Sequence, residues 1–226
     1  LKYKNINLKK KKIKFKIKNN EIIIFDSSHK VDFSDKLLKK IDAESNFKDI
    51  DIRYLSHASV QILHNDTRII TDPWFFGPAF SNGWWLRKSP SADISKIIDK
   101  VNYLYISHNH PDHLHIETLN KFDKNITVIT PNFKSKSTYK LLNRIGFKKI
   151  FLCDFNKIYK LKDKNIYFTL FKSGDFKDDS GIYFNINKRK ILLNVDCNNL
   201  NGGALPNNID VLLSSYAGGA SGFPLC

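Results

Sequence analysis

The sequence predicts one mixed α+β domain that opens with strands, alternates strands with helices, and returns to strands. Three observations carry that prediction. Residues 51–71 hold three apolar, β-branched runs separated by turn residues. Residues 93–153 alternate short apolar runs with helix-period segments. From Ile158 onward the pattern becomes strand-rich, with no internal repeat and no low-complexity linker. At 226 residues, with 42% hydrophobic and 13% aromatic content, the chain can bury a substantial core.

The elements follow in chain order. Ile13 to Lys18 alternates apolar residues with Lys, a period-2 strand with one solvated face. Residues 21–25 predict a second strand, and residues 34–41 a short helix with Ser34 as N-cap. Residues 1–50 are thus expected to be a Lys-rich lead-in, and 51–226 the main domain. Strands are expected over 51–55, 59–63 and 67–71, with Asn65-Asp66 turning between the last two. A loop from Asp72 to Pro90, rich in Gly, Pro and aromatics, is long enough to suggest function. A helix over 93–100 precedes a buried strand over 103–107. A His-rich turn then leads to a helix over 116–122. A strand over 127–130, a helix over 135–144 stopped by Gly146, and a strand over 150–153 complete the alternating part. Four further strands are expected over 166–171, 181–186, 191–194 and 211–214.

The net charge of +15 invites a nucleic-acid reading, but 32 of the 37 basic residues are Lys and only five are Arg. Bidentate base and phosphate recognition favours Arg. Nine Lys crowd residues 2–18, where a solvated edge strand explains them. Residues 51–87 and 191–226 contain no Lys at all. A basic nucleic-acid-binding module therefore ranks as a second alternative only. The apolar runs are too short to span a bilayer, so no membrane partner is expected. Three Cys without a C-x-x-C pair make no disulfide framework, and no secretory h-region opens the chain, which suits a cytoplasmic location.

Four of the seven His fall within residues 108–115, in the run His108-Asn109-His110-Pro111-Asp112-His113-Leu114-His115. Imidazole and carboxylate suit Zn, Fe and Mn. A tight turn after an apolar strand lets neighbouring side chains diverge toward two adjacent ions. His108 and His110 would face one ion, and Asp112 and His113 a second. His115 lies outside the pattern and reads as a helix-start residue.

H-x-H-x-D-H after a buried strand, with Thr71-Asp72-Pro73 one strand earlier, resembles the metallo-β-lactamase superfamily. The resemblance implies a four-layer αββα sandwich with metals held at one edge. It implies that Asp72 orients the His loop from beneath and that Asp196, at the end of a later strand, bridges the ions. Three longer blocks narrow the likeness: Asp72 to Leu86, Asn194 to Pro206, and Tyr216 to Pro224. Together they resemble the CMP-N-acetylneuraminate hydroxylase group, over roughly residues 50–226. That resemblance implies a metal-dependent monooxygenase with one or two iron ions, oxidising the N-acetyl group of a nucleotide-linked amino sugar such as a sialic acid. Electrons would come from a separate Rieske or cytochrome-type donor. The alternative is a hydrolase of the same fold, using iron or zinc and a metal-bound hydroxide on a phosphodiester, ester or amide.

Three departures from the family pattern stand out. No Cys precedes Cys153 and only His29 precedes His57, so no iron–sulfur cluster is expected in this chain. The loop after residue 171 lacks the usual third His and offers Asp175, Asp178 or Asp179 in its place, with Asp175 put forward. The last His ligand of the superfamily would lie beyond Cys226, so the fold is expected to lack its C-terminal part. The candidate catalytic residues are Asp72, Asp112 and His57, the last hydrogen-bonding near the metal loop. Trp84 and Trp85 are stacking candidates for a base or sugar. Arg87 offers a planar fork to phosphate. Gly218 and Gly219 would let backbone amides approach a diphosphate. Cys197 is expected to be a buried thiol.

Overall fold

The computed structural model describes residues 50–90, 93–161, 165–174 and 177–215. It also describes the backbone of four N-terminal strands, β1 (Ile6–Leu8), β2 (Lys11–Ile13), β3 (Phe15–Lys18) and β4 (Glu21–Ile24). These form two hairpins, β1 with β2 and β3 with β4, both antiparallel. The expected helix over 34–41, Asp175, Gly218 and Gly219 lie outside the described residues.

Six strands form the first sheet: β5 (Ile50–Ser56), β6 (Ser59–His64), β7 (Thr67–Thr71), β8 (Tyr103–Tyr105), β9 (Thr127–Pro131) and β10 (Lys149–Cys153). Their spatial order is β10-β9-β8-β7-β6-β5. β7 to β10 run parallel, and β5 and β6 are hairpin strands. Three helices connect the parallel strands: α1 (Ile94–Ile98), α2 (Ile116–Leu119) and α3 (Ser137–Ile145). The second sheet holds β11 (Tyr159–Lys160), β12 (Ile166–Lys172), β13 (Ser180–Ile186), β14 (Arg189–Val195) and β15 (Val211–Ser214), in sequential order. Only its β14–β15 pair is parallel.

Side-chain alternation explains the layering. In β7, Ile69 points between the sheets and Ile70 toward the helices, and both are fully buried. Parallel strands covered on both faces need such doubly apolar runs. The inter-sheet core joins Ile52, Ile62, Ile69 and Ile129 to Phe168, Ile182, Phe184 and Leu193. On the other face, Ile70, Leu104 and Val128 meet Ile94, Ile97, Leu119 and Leu142 from the three helices. The outer face of the second sheet carries a smaller cluster of Phe171, Leu192, Cys197 and Leu200.

The helices are shorter than the periodicity predicts, for local reasons. Asp93 stands at the N-cap of α1 without a capping bond, because its carboxylate pairs with Arg53 at 2.9 Å. α2 stops at Leu119, where Lys124 Nζ donates to Leu119 O and Phe122 O. α3 ends as expected at Gly146, whose φ of 102° only glycine adopts freely. No helix among the described residues is long and apolar enough to cross a membrane.

Candidate metal centre

The loops that carry the candidate residues leave the same rim of the sandwich. Asp72 follows β7, residues 107–115 follow β8, and Asp196 follows β14. Ligand sites of open parallel sheets form outside the carboxyl ends of strands in this way. His57 comes from the two-residue turn between β5 and β6, and Asp179 from the residue before β13. His57, Asp72 and Val195 have φ of 41°, 37° and 52°. Left-handed backbone is costly for such residues, Val above all, and tends to collect at functional sites.

A buried scaffold orients the histidines. Asp72 accepts from Ser107 N at 2.8 Å and from Ser107 Oγ at 2.7 Å. Asp72 Oδ2 also lies 3.0 Å from His113 Nδ1. With its proton given to Asp72, Ser107 Oγ accepts from His108 Nδ1 at 2.9 Å. Ser180 Oγ donates to Ser107 O at 2.8 Å and lies 2.7 Å from the Tyr105 hydroxyl, tying the second sheet to the first.

These bonds fix the tautomers and turn the other ring nitrogens to one space. His108 Nε2 and His110 Nδ1 approach to 2.8 Å. Two nitrogens about 2.1 Å from one ion, at a near-right angle, would sit about 3 Å apart. His113 Nε2 is 3.1 Å from Asp196 Oδ2 and 3.5 Å from Asp112 Oδ2. His57 Nε2 meets the same Asp112 Oδ2 at 2.9 Å. Two overlapping ligand groups result, His108-His113-Asp196 and His57-Asp112-His113. His113 has one nitrogen to offer, since Nδ1 faces Asp72, so it can serve only one of two ions. Asp196, with two oxygens, can face both.

The electrostatics agree with a cation-binding cluster. Among the described residues, Asp72, Asp112, Asp179 and Asp196 each pair with a histidine. Burial holds His108 and His110 below the usual imidazole range, which keeps lone pairs free. Burial would also lower His113, but bonds to Asp112, Asp196 and Asp72 raise it instead. Desolvation works against ionised Asp112, yet bonds from His113 and His57 hold it low. Asp179, deeply buried and repelled by Asp196, is pushed up to about 7. A bound cation would relieve this crowding of carboxylates. The nitrogen and oxygen donors fit iron or zinc alike.

The structure brings together His57, Asp72, His108, His110, Asp112, His113 and Asp196. Asp179, rather than its neighbour Asp178, reaches the cluster, for Asp178 accepts from Ser135 on the surface at 2.7 Å. His115 caps α2 by accepting from Thr118 N and approaches Pro78 O at 3.0 Å. Cys197 is buried, as expected. Sequence reasoning missed Ser107, Ser180 and Tyr105, and a Ser directly before the first His was the one available signal.

A cleft of about 1060 Å³ opens beside His57. Trp74, Trp84, Trp85 and Arg87 line it, together with Arg53, Tyr54 and Lys88, which the motifs did not mark. Trp84 packs on Phe80 at 4.8 Å between ring centroids, whereas Trp85 is 68% exposed.

The family model for the Beta-lactamase superfamily domain matches residues 51–184. Cytidine monophosphate-N-acetylneuraminic acid hydroxylase of Macaca mulatta is 36% identical over 188 residues, 80% of this chain and 32% of that protein. The Mus musculus protein of the same name is 35% identical over 187 residues, again 80% of this chain and 32% of its own. The chain thus spans about a third of the length of these curated relatives. Among solved structures, the CmlA β-hydroxylase E377D mutant superposes with a TM-score of 0.54 at 19% identity, covering 80% of this chain and 38% of that one. Isothiocyanate hydrolase from Delia radicum gut bacteria gives 0.50 at 13%, covering 63% and 60%. With a matched family model over more than half its length and this two-sheet architecture, the chain belongs to the β-lactamase superfamily, with the metallo-β-lactamase fold.

Proposed function

We propose that this chain forms the metal-binding catalytic part of a hydroxylase-like enzyme acting on a nucleotide-linked N-acetyl amino sugar. The observation that carries the reading is the convergence of His57, His108, His110, Asp112, His113 and Asp196 beside an aromatic, basic cleft. The 35–36% identity to proteins named as hydroxylases of a cytidine monophosphate sugar supports the substrate class.

His108, His110 and Asp196 would hold one ion, and Asp112, His113 and Asp196 the other. When bound, iron supplies O₂ and one-electron chemistry, while zinc supplies Lewis-acid activation of water. Asp72 fixes the His113 ring from its Nδ1 side. His57 Nε2, which lines the cleft, would orient Asp112 through its 2.9 Å contact with Asp112 Oδ2. Trp84 and Trp85 present ring faces to a base or sugar. Arg87, with Lys88 nearby, would attract the phosphate, and Asp175, Gly218 and Gly219 remain candidates by sequence alone. A separate Rieske or cytochrome-type protein would deliver electrons. The buried thiols Cys153 and Cys197 suit a reducing, cytoplasmic setting.

The second reading is a metallohydrolase, favoured by a donor set that suits zinc equally well. Metal analysis of chain reconstituted with iron and with zinc, followed by assays with and without a reductant, separates the two. Reductant- and O₂-dependent oxidation of a nucleotide sugar supports the first reading. Zinc-supported ester or phosphodiester turnover overturns it. Unchanged metal content in the His108→Ala/His110→Ala double variant would overturn the site itself.

A further inference from the structure

The two buried histidines of the centre are supported differently. His113 Nδ1 faces Asp72, the carboxylate that the family pattern puts there. His108 Nδ1 lies 2.9 Å from Ser107 Oγ, its hydrogen-bond acceptor, and 3.3 Å from Asp179 Oδ1. Asp179 is 5% exposed. It is held from the second sheet, where Ser180 N donates to Asp179 Oδ1 at 2.7 Å and Ser173 N donates to Asp179 O at 3.0 Å. Its carboxylate therefore approaches His108 at Nδ1, while Nε2 is the nitrogen turned toward His110.

We infer that Asp179 is a positioning residue for His108, the counterpart on the second sheet of Asp72 behind His113. This inference rests on the metal-centre reading above. A carboxylate beside Nδ1 adds a charge that favours the proton already donated to Ser107 Oγ, and so favours the lone pair on Nε2. It also raises the basicity of the ring as a ligand, and losing such a partner typically weakens metal binding 10–100-fold. Asp179 thus acts through His108 and touches no ion. The loop that lacks the usual third His supplies a carboxylate behind the first His instead.

The test is zinc titration of the full chain against a chromophoric chelator, comparing wild type, Asp179→Asn and, as a control, Asp178→Asn. Asn keeps the volume and an oxygen for Ser180 N–H, so the metal-free chain should melt at the wild-type temperature. If Asp179→Asn fails to fold, Asp179→Ser takes its place. The expected result is two ions bound at saturating zinc in every variant, with one dissociation constant raised 10–100-fold in Asp179→Asn only. Equal affinities in wild type and Asp179→Asn would overturn the inference. So would loss of one ion at saturation, which would make Asp179 a direct ligand. A wild-type chain that takes up no zinc or iron would instead overturn the metal-centre reading.

Discussion

His113 Nδ1 lies 3.0 Å from Asp72 Oδ2, and neither side chain has any exposure to solvent. Asp72 also accepts both Ser107 bonds, so one carboxylate fixes the start and the end of the His loop. Asp72→Ala would leave three buried donors without an acceptor. Removing one partner of a buried pair costs about 3–5 kcal/mol. Urea unfolding should show a loss of that size, and a smaller one for Asp72→Asn, whose amide oxygen still accepts. A loss in Asp72→Ala below about 1 kcal/mol, the worth of one ordinary hydrogen bond, would contradict this account.

Metal removal should destabilise the chain through mass action. A ligand present at 100 times its dissociation constant stabilises the folded state by about 2.7 kcal/mol. Thermal melts with zinc or iron and with excess chelator should therefore differ by several degrees. The difference should disappear in the His108→Ala/His110→Ala variant.

Trp85 is exposed in the cleft, so Trp85→Ala should change stability by no more than about 0.5 kcal/mol. Base stacking on an aromatic ring is worth about 1–3 kcal/mol. The variant should bind a cytidine nucleotide more weakly by about fivefold or more in a calorimetric titration. Unchanged binding would remove Trp85 from the substrate site.

Burial pushes the Cys153 thiol up to about 12. It should resist alkylation at pH 8 in the folded chain and react promptly in denaturant, as read by peptide mass spectrometry. The folded value lies above the unfolded one. The thiol therefore stays neutral without penalty below pH 9, and stability falls as pH rises from 9 toward 12. Fast labelling of Cys153 in native buffer would contradict its burial.

Much of this molecule is legible in its sequence because the signals are local. Period-2 runs set β5, β6 and β7, and four metal-type residues within six positions set the His loop. The contacts that finish the site are not local. His57 reaches Asp112 across 55 residues, and Tyr105 reaches Ser180 across 75. Such pairs depend on how the two sheets stack, and no spacing rule encodes that. Asp178 and Asp179 are equivalent as sequence, yet one meets Ser135 on the surface and the other His108 inside. The phase of β13 decides between them. Arg53 and Tyr54 went unmarked because they sit on a strand, where alternation reads only as one face or the other.

The β13–β14 hairpin turns through Asn187 and Lys188, both left-handed, with φ of 47° and 66°. Two such residues in succession make the tight primed turn that suits the strand twist. From this turn the seven residues of β13 run about 23 Å back to Asp179, at about 3.3 Å per residue. The rim that carries the chemistry and the rim that carries this turn are therefore separate addresses on one hairpin. A fluorophore or epitope tag grafted at Asn187-Lys188 would report on the protein from a distance while leaving the histidines undisturbed.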